Sequence, residues 1–319
     1  MPADIDEELL LDVAEVLGIS EPSLVEKDFH VTQVLSLLSE FQSEFFIIVF
    51  AGGTCLSKTI KGLGRMSEDI DLKLVPTKQC EQFSNNKRKS ELSKLKNEIT
   101  NSLIKIGYSS EIIKQENSNQ HIEWEIEYSP VSDPIDALRP NIQVEITYCE
   151  NFSSYESHTF GSMIAEASNA ELEVKAILCV DATYTAAEKI VSLLRRVAGI
   201  ARDKPWVDDR LIRHVYDVDF LLAGGYIDEN KLISILETVI VWDADRFSAQ
   251  HKEFKDKPLA ECLYSLSELK SNPVYAQNYK DFLGPLVYAP NANPDFLKAL
   301  ASISKLFDIF LAKQKRFKE

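Results

Sequence analysis

Two aspartates one residue apart, Asp69 and Asp71, follow a glycine pair, Gly52-Gly53, a short distance down the chain. In an extended strand, side chains two apart share a face. The segment Ser67-Glu68-Asp69-Ile70-Asp71-Leu72 therefore presents both carboxylates on one side and Ile70 and Leu72 on the other. Carboxylates this close raise one another's pKa unless a cation lies between them. A hard divalent ion with a preference for oxygen, Mg2+ or Mn2+, suits such a pair. Gly52-Gly53 comes directly after the apolar run Phe45–Ala51 and frees the backbone to turn sharply. Its N–H groups, at the start of a helix, are able to hold phosphate. Thr54 and Ser67 add hydroxyls, and Lys58 adds a cation. A phosphate cradle beside paired carboxylates means phosphoryl or nucleotidyl chemistry.

A third acid is needed to hold two metals. In Ile142-Gln143-Val144-Glu145-Ile146, Glu145 falls on the face opposite the alternating apolar residues. Taken alone it reads as an edge residue facing water; taken with Asp69 and Asp71 it reads as a ligand. The D-x-D pair by itself is also compatible with a solvated strand face. A phosphatase reading, with the aspartates as nucleophile and acid, is weakened because Leu72-Lys73 stands where a small hydroxylated residue is expected.

The elements that must position these groups follow from periodicity. Helical spacing covers 5–17 and 23–38, with Asp4 or Asp6 as the first cap and Gly18 as its stop. Residues 45–50 read as a buried strand, 54–61 as a short helix and 70–75 as a second strand ending at Pro76. A helix over 90–106 carries Leu92, Leu95, Ile99, Leu103 and Ile106 on one stripe. Alternation predicts strands at 108–113, 121–128 and 142–148, with shorter ones at 155–160 and 174–179. From Thr183 onward the pattern is helical, over 183–198, 208–223, 228–241, 258–270 and 293–312. The fold class is α+β: a mixed β-sheet domain with N-terminal helices over 1–170, then a mainly α-helical domain over 171–319.

Composition narrows the class. The chain has 319 residues, 45% of them hydrophobic and 27% charged, as in a soluble globular protein. Its longest apolar run is far short of the roughly 20 residues a membrane helix needs. The acidic N-terminus does not resemble a signal peptide, and five scattered cysteines form no C-x-x-C pair; a cytoplasmic protein with free thiols is expected. The net charge is −15, and the first 28 residues hold nine acids against Lys27 alone. That excess argues against tight non-specific nucleic-acid binding, although a local basic cleft stays open. Arg195, Arg196, Arg202, Arg210 and Arg213 crowd one stretch, which reads either as an RNA surface or as an ordinary charged helix face.

Phe50-Ala51-Gly52-Gly53-Thr54-Cys55-Leu56-Ser57-Lys58 with Arg65-Met66-Ser67-Glu68-Asp69-Ile70-Asp71-Leu72 resembles the first motif of the AbiEii toxin family. These are nucleotidyltransferase-fold proteins of type IV toxin–antitoxin and phage-abortive systems. Val25–Thr32 resembles the helical lead-in, Ile142–Ile146 the second motif, Ala187-Glu188-Lys189-Ile190 the third and Arg213-His214-Val215-Tyr216-Asp217 the fourth. Cys55 and Met66 depart from the commoner residues, and 199–209 lengthens the link between the last two motifs. The resemblance implies an NTP-dependent, pyrophosphate-releasing nucleotidyltransferase with two Mg2+ or Mn2+ ions on Asp69, Asp71 and Glu145. It further implies Lys189 on the triphosphate and Asp217 in a positioning role; without it, Lys189 reads as a surface lysine with a buried stem. The implied acceptor is a tRNA 3′ end or a protein hydroxyl, and the implied partner a separately encoded antitoxin, with no membrane involved. The competing readings are a non-catalytic partner-binding module on the same fold and a metal-dependent phosphohydrolase.

Overall fold

The computed structural model describes residues 5–150, 152–204, 209–289 and 295–316. Residues 205–208 of the lengthened link and the first two residues of the helix expected at 293–312 lie outside the described residues. The chain divides into two compact units at Val180/Asp181, with Tyr288 and Ala289 returning to the first. The division falls later than 170 because the strand at 174–180 pairs into the sheet and belongs to the first unit.

In the first unit, α1 (Glu7–Leu17) is capped by Asp6, whose carboxylate accepts from the Leu9 N–H at 2.8 Å. It stops at Gly18 in the left-handed region (φ 67°), as the sequence predicts. Then follow α2 (Pro22–Ser39), β1 (Phe46–Ala51), α3 (Gly52–Thr59), β2 (Asp69–Pro76), α4 (Lys78–Glu81) and α5 (Asn85–Lys105). Next come β3 (Ser109–Glu116), β4 (His121–Glu127), β5 (Ile142–Tyr148), β6 (Tyr155–Phe160), α6 (Met163–Ser168) and β7 (Val174–Val180). The seven strands form one mixed sheet in the order β3-β4-β5-β2-β1-β7-β6. β2 pairs parallel with β5 and antiparallel with β1, and β1 pairs parallel with β7.

One face of this sheet carries the core. Ile70, Leu72 and Leu74 of β2, Val144 and Ile146 of β5, and Trp124 of β4 join Val34, Leu35 and Leu38 of α2 and Leu92, Ile99 and Leu103 of α5. Alternation sends Asp69, Asp71, Gln143, Glu145 and Glu123 to the opposite face.

Helix α2 is unusual in burying Glu26, Lys27, Asp28 and His30 together. Each charge anchors a connection. Glu26 accepts from the Val131 and Ser132 N–H groups at 2.7 and 3.0 Å and from the Ser132 hydroxyl. Lys27 donates to the carbonyls of Arg139 and Asn141 at 2.6 and 3.0 Å and lies over the Tyr128 ring. Burial pushes its ammonium down to about 8, against the pull of Glu68 and Asp69.

His30 pairs through Nδ1 with the Tyr108 hydroxyl at 2.9 Å, and burial pushes its pKa from 6.5 to about 4. The unfolded chain thus binds a proton that the folded chain refuses between these values. The stability linked to His30 is complete above pH 6.5 and is lost as pH falls toward 4. Urea unfolding at pH 7.5 and pH 5 is expected to show a loss of about 2 kcal/mol that His30→Asn does not show.

The second unit is helical: α7 (Ala182–Ile200), α8 (Arg213–Ala223), α9 (Glu229–Arg246), α10 (Lys252–Asp256), α11 (Pro258–Ser271), α12 (Pro273–Asn278) and α13 (Phe296–Arg316). Helix α7 is sheathed by α8, α9 and α11, with Ile190, Leu193, Leu194 and Val197 fully buried. Of the crowded stretch, Arg195 serves this packing, while Arg202 is exposed and paired at the surface. Arg195 is buried, bonded to Asp243 at 2.6 Å and stacked on Phe247, and Arg202 is clamped by Glu261. No described helix is long and apolar enough to cross a membrane.

Candidate active site

The strand pairing brings the acids of two distant segments to one place. Asp71 and Glu145 are register partners on the parallel pair β2/β5, and Asp69 lies opposite Gln143 one step along. Glu145 is in turn opposite Glu123 on β4. Side chains of directly opposed residues lie about 5 Å apart at Cβ, which puts like charges against one another unless a cation intervenes.

Asp71 is seated by the glycine turn. A Cβ on Gly52 would lie 1.8 Å from Asp71 Oδ2, and Gly52 has φ +76°. Only glycine satisfies both conditions, so the bend ahead of α3 and the aspartate are built for each other. Gly52→Ala is expected to push the carboxylate off its seat, cut turnover by about a hundredfold and cost roughly 1–3 kcal/mol. Activity assays and thermal melts on the same preparation check both effects.

The other expected cradle residues divide in their roles. Thr54 is fully buried; its hydroxyl donates to the Asp69 carbonyl at 2.5 Å and lies 3.0 Å from Ser67 Oγ. It therefore fixes the start of β2 instead of facing a ligand. Ser67 stays half-buried beside it. Lys58, expected at phosphate, is turned away: its ammonium is buried, 2.6 Å from Asp28 Oδ1 and 3.0 Å from the Gly161 carbonyl. Burial without Asp28 would strand a charge, so the lysine is committed to this pair.

Asp69 is held by a residue that sequence reasoning missed. Arg139 Nη1 lies 2.6 Å from Asp69 Oδ1 and also donates to Gln143 Oε1. A second missed group is Lys73, two residues beyond Asp71 on the same face, nearly buried and over the Phe152 ring. Its D-x-D-x-K spacing was the available signal; Arg139 had none, because a loop residue carries no periodicity.

Among the described residues, one group of three acids or histidines has ligand atoms within 4.8 Å of one another: His121, Glu123 and Glu145. The set Asp69, Asp71 and Glu145 shares a face without converging that tightly. His121 bonds Glu123 at 2.7 Å, and Lys114 reaches Glu123 at 3.1 Å. Burial raises the Glu123 pKa, but the bonds from His121 and Lys114 outweigh it and hold the carboxyl below its ordinary value. Thr147 donates to Glu145 at 3.0 Å. The oxygen donors of Asp69, Asp71 and Glu145 fit a hard cation in type, and the glycine seat holds one of them against the Gly52 bend.

In the helical unit, the third and fourth motifs meet. Lys189 Nζ of α7 lies 2.9 Å from Asp217 Oδ2 of α8, both buried, and 3.4 Å from His214 Nδ1. Burial and the Lys189 ammonium push the His214 pKa well below its ordinary value, so the ring is neutral and able to accept. Asp219 of the same helix accepts from the Ser302 hydroxyl of α13.

The model of the family described as nucleotidyl transferase AbiEii toxin, type IV TA system, matches residues 36–302. The chain belongs to the AbiEii nucleotidyltransferase toxin family. Its fold is similar to that of MenT4, a nucleotidyltransferase toxin from Mycobacterium tuberculosis, with a TM-score of 0.52 at 15% identity over 95% of this chain and 98% of that one. A cyclic dinucleotide synthase, CdnE from Elizabethkingia meningoseptica, aligns over 91% of this chain and 98% of its own at 13% identity, with a TM-score of 0.25. No curated protein matches the chain. The AbiEii membership agrees with the order of the four motifs along the sequence and with the mixed sheet followed by helices.

Proposed function

We propose that this AbiEii-family chain moves a nucleoside monophosphate from an NTP to a hydroxyl acceptor in a reaction that needs Mg2+ or Mn2+. The observation that carries the reading is the register pairing of Asp71 with Glu145 beside the Gly52 seat. Asp69, Asp71 and Glu145 would hold the cations. Divalent ions bound there lower the pKa of the attacking hydroxyl and offset the charge of the triphosphate. The Gly52-Gly53 turn offers backbone N–H groups to phosphate, and the Ser67 hydroxyl adds a hydrogen bond. In the helical unit Asp217 is fully buried against the Lys189 ammonium, 2.9 Å away, and holds it in place. The remaining work is alignment and charge stabilisation, as in other phosphoryl transfers.

The acceptor in this reading is a tRNA 3′ end or a protein hydroxyl, and a separately encoded antitoxin restrains the enzyme. Incubation with each α-labelled NTP, Mn2+, and total RNA or protein tests it. Label on a macromolecule with pyrophosphate released is the expected result, and the labelled fraction identifies the acceptor. Release of orthophosphate instead would make the chain a phosphohydrolase. No labelling and no thermal shift with any NTP would leave a non-catalytic binding module, since a ligand raises stability only by binding the folded state.

A further inference from the structure

We propose that Arg139 is a resident counter-ion of Asp69 which an incoming divalent cation has to displace, so that Arg139 sets the cation concentration the enzyme requires. The inference rests on the assignment of Asp69 as a metal ligand.

Arg139 is held in an unusual way. Its backbone N–H donates to Glu68 Oε2 at 2.7 Å, and its carbonyl accepts from Lys27 Nζ at 2.6 Å. Glu68 and Lys27 are both buried, so two charged side chains pin the main chain of one loop residue from opposite sides. The side chain is left out of this anchoring. That side chain is 31% exposed, and its guanidinium reaches Asp69 Oδ1 and Gln143 Oε1 on the acid-bearing face.

An ion pair of this exposure adds little to folding stability. The backbone pins already position the loop, which leaves the guanidinium with a local task. A positive charge on Asp69 neutralises one member of the acidic face while no metal is bound, and that relieves the repulsion among Asp69, Asp71 and Glu145. The same guanidinium occupies a lone pair that a cation needs.

A route off Asp69 is present. Arg139 also lines a cavity of about 360 Å³, together with Glu125, Glu127, Tyr128, Pro134 and Leu138. The two glutamates give the displaced guanidinium an anionic resting place, so its release from Asp69 does not strand a charge.

Mn2+ titration of the full chain, followed by calorimetry and by the electron paramagnetic resonance signal of free Mn2+, tests this without any NTP. Arg139→Ala is expected to bind Mn2+ roughly fivefold more tightly than wild type. Its metal-free melting temperature should be equal or slightly lower, so the melting shift caused by Mn2+ grows. Arg139→Lys should fall between, since it keeps the positive charge but carries it on a shorter, more flexible side chain. The Ala variant keeps both backbone pins, so folding is not at risk. Equal or weaker Mn2+ binding by Arg139→Ala overturns the proposal if wild-type binding is lost in Asp69→Asn. If wild type and Arg139→Ala alike show no Mn2+ binding that depends on Asp69, the metal reading itself falls.

Discussion

Asp71→Asn is expected to lower metal-dependent NTP turnover by roughly a thousandfold, a loss of about 4 kcal/mol in transition-state stabilisation. Asparagine has the same shape and keeps its place over Gly52, so the seat stays filled. What disappears is a full negative charge, and a neutral amide is a poor ligand for a hard cation. The metal-free protein should keep its melting temperature, because the substitution removes a like charge opposite Glu145 without changing volume. Pyrophosphate release at saturating Mn2+ is the measurement. A rate within tenfold of wild type would remove Asp71 from the chemistry.

Asp28→Ala is the substitution expected to cost most in stability, about 3–5 kcal/mol by urea unfolding. Its carboxylate takes the Lys58 ammonium at 2.6 Å on one oxygen and the Met163 N–H at 2.7 Å on the other. The truncation leaves Lys58 buried against the Gly161 carbonyl at 3.0 Å, a neutral acceptor that does not balance its charge, and strands a backbone donor at the start of α6. The double variant Asp28→Ala/Lys58→Met removes the orphaned charge and should recover much of the loss. A single-variant cost below about 1 kcal/mol would show that water reaches the pair, contrary to its burial.

These two residues mark how legible the chain is. The D-x-D spacing singles out Asp71, because strand periodicity alone assigns its face. Asp28 lies in a helix whose neighbours Glu26 and Lys27 are also charged, and charge runs ordinarily face water. Its burial depends on partners from α3 and α6, far along the chain. The same reason explains Lys58. A lysine one turn beyond a glycine-rich bend is suited to phosphate by type and distance, yet the carboxylate of α2 takes it first. Arg195 and Arg202 likewise read as part of an available basic stretch, but Asp243 and Glu261 reach them from other helices.

The short helices α4, α6, α10 and α12 escape periodicity because four to six residues do not complete an amphipathic stripe. The longer elements do not: β2, β5, α5 and α7 fall within a few residues of the segments their apolar spacing predicts.

By itself the sequence determined which residues share a strand or helix face, the order of a mixed sheet followed by helices, and the four motifs of the AbiEii family. Those properties are local, set by side-chain period, glycine placement and residue type. The tertiary structure alone decided that Asp71 and Glu145 share a register position, and which opposite charges meet: Asp69 with Arg139, Lys189 with Asp217, and Lys58 with Asp28. Pairing between distant segments depends on strand register and helix packing, and a charge carries no mark in the sequence of the partner that will neutralise it.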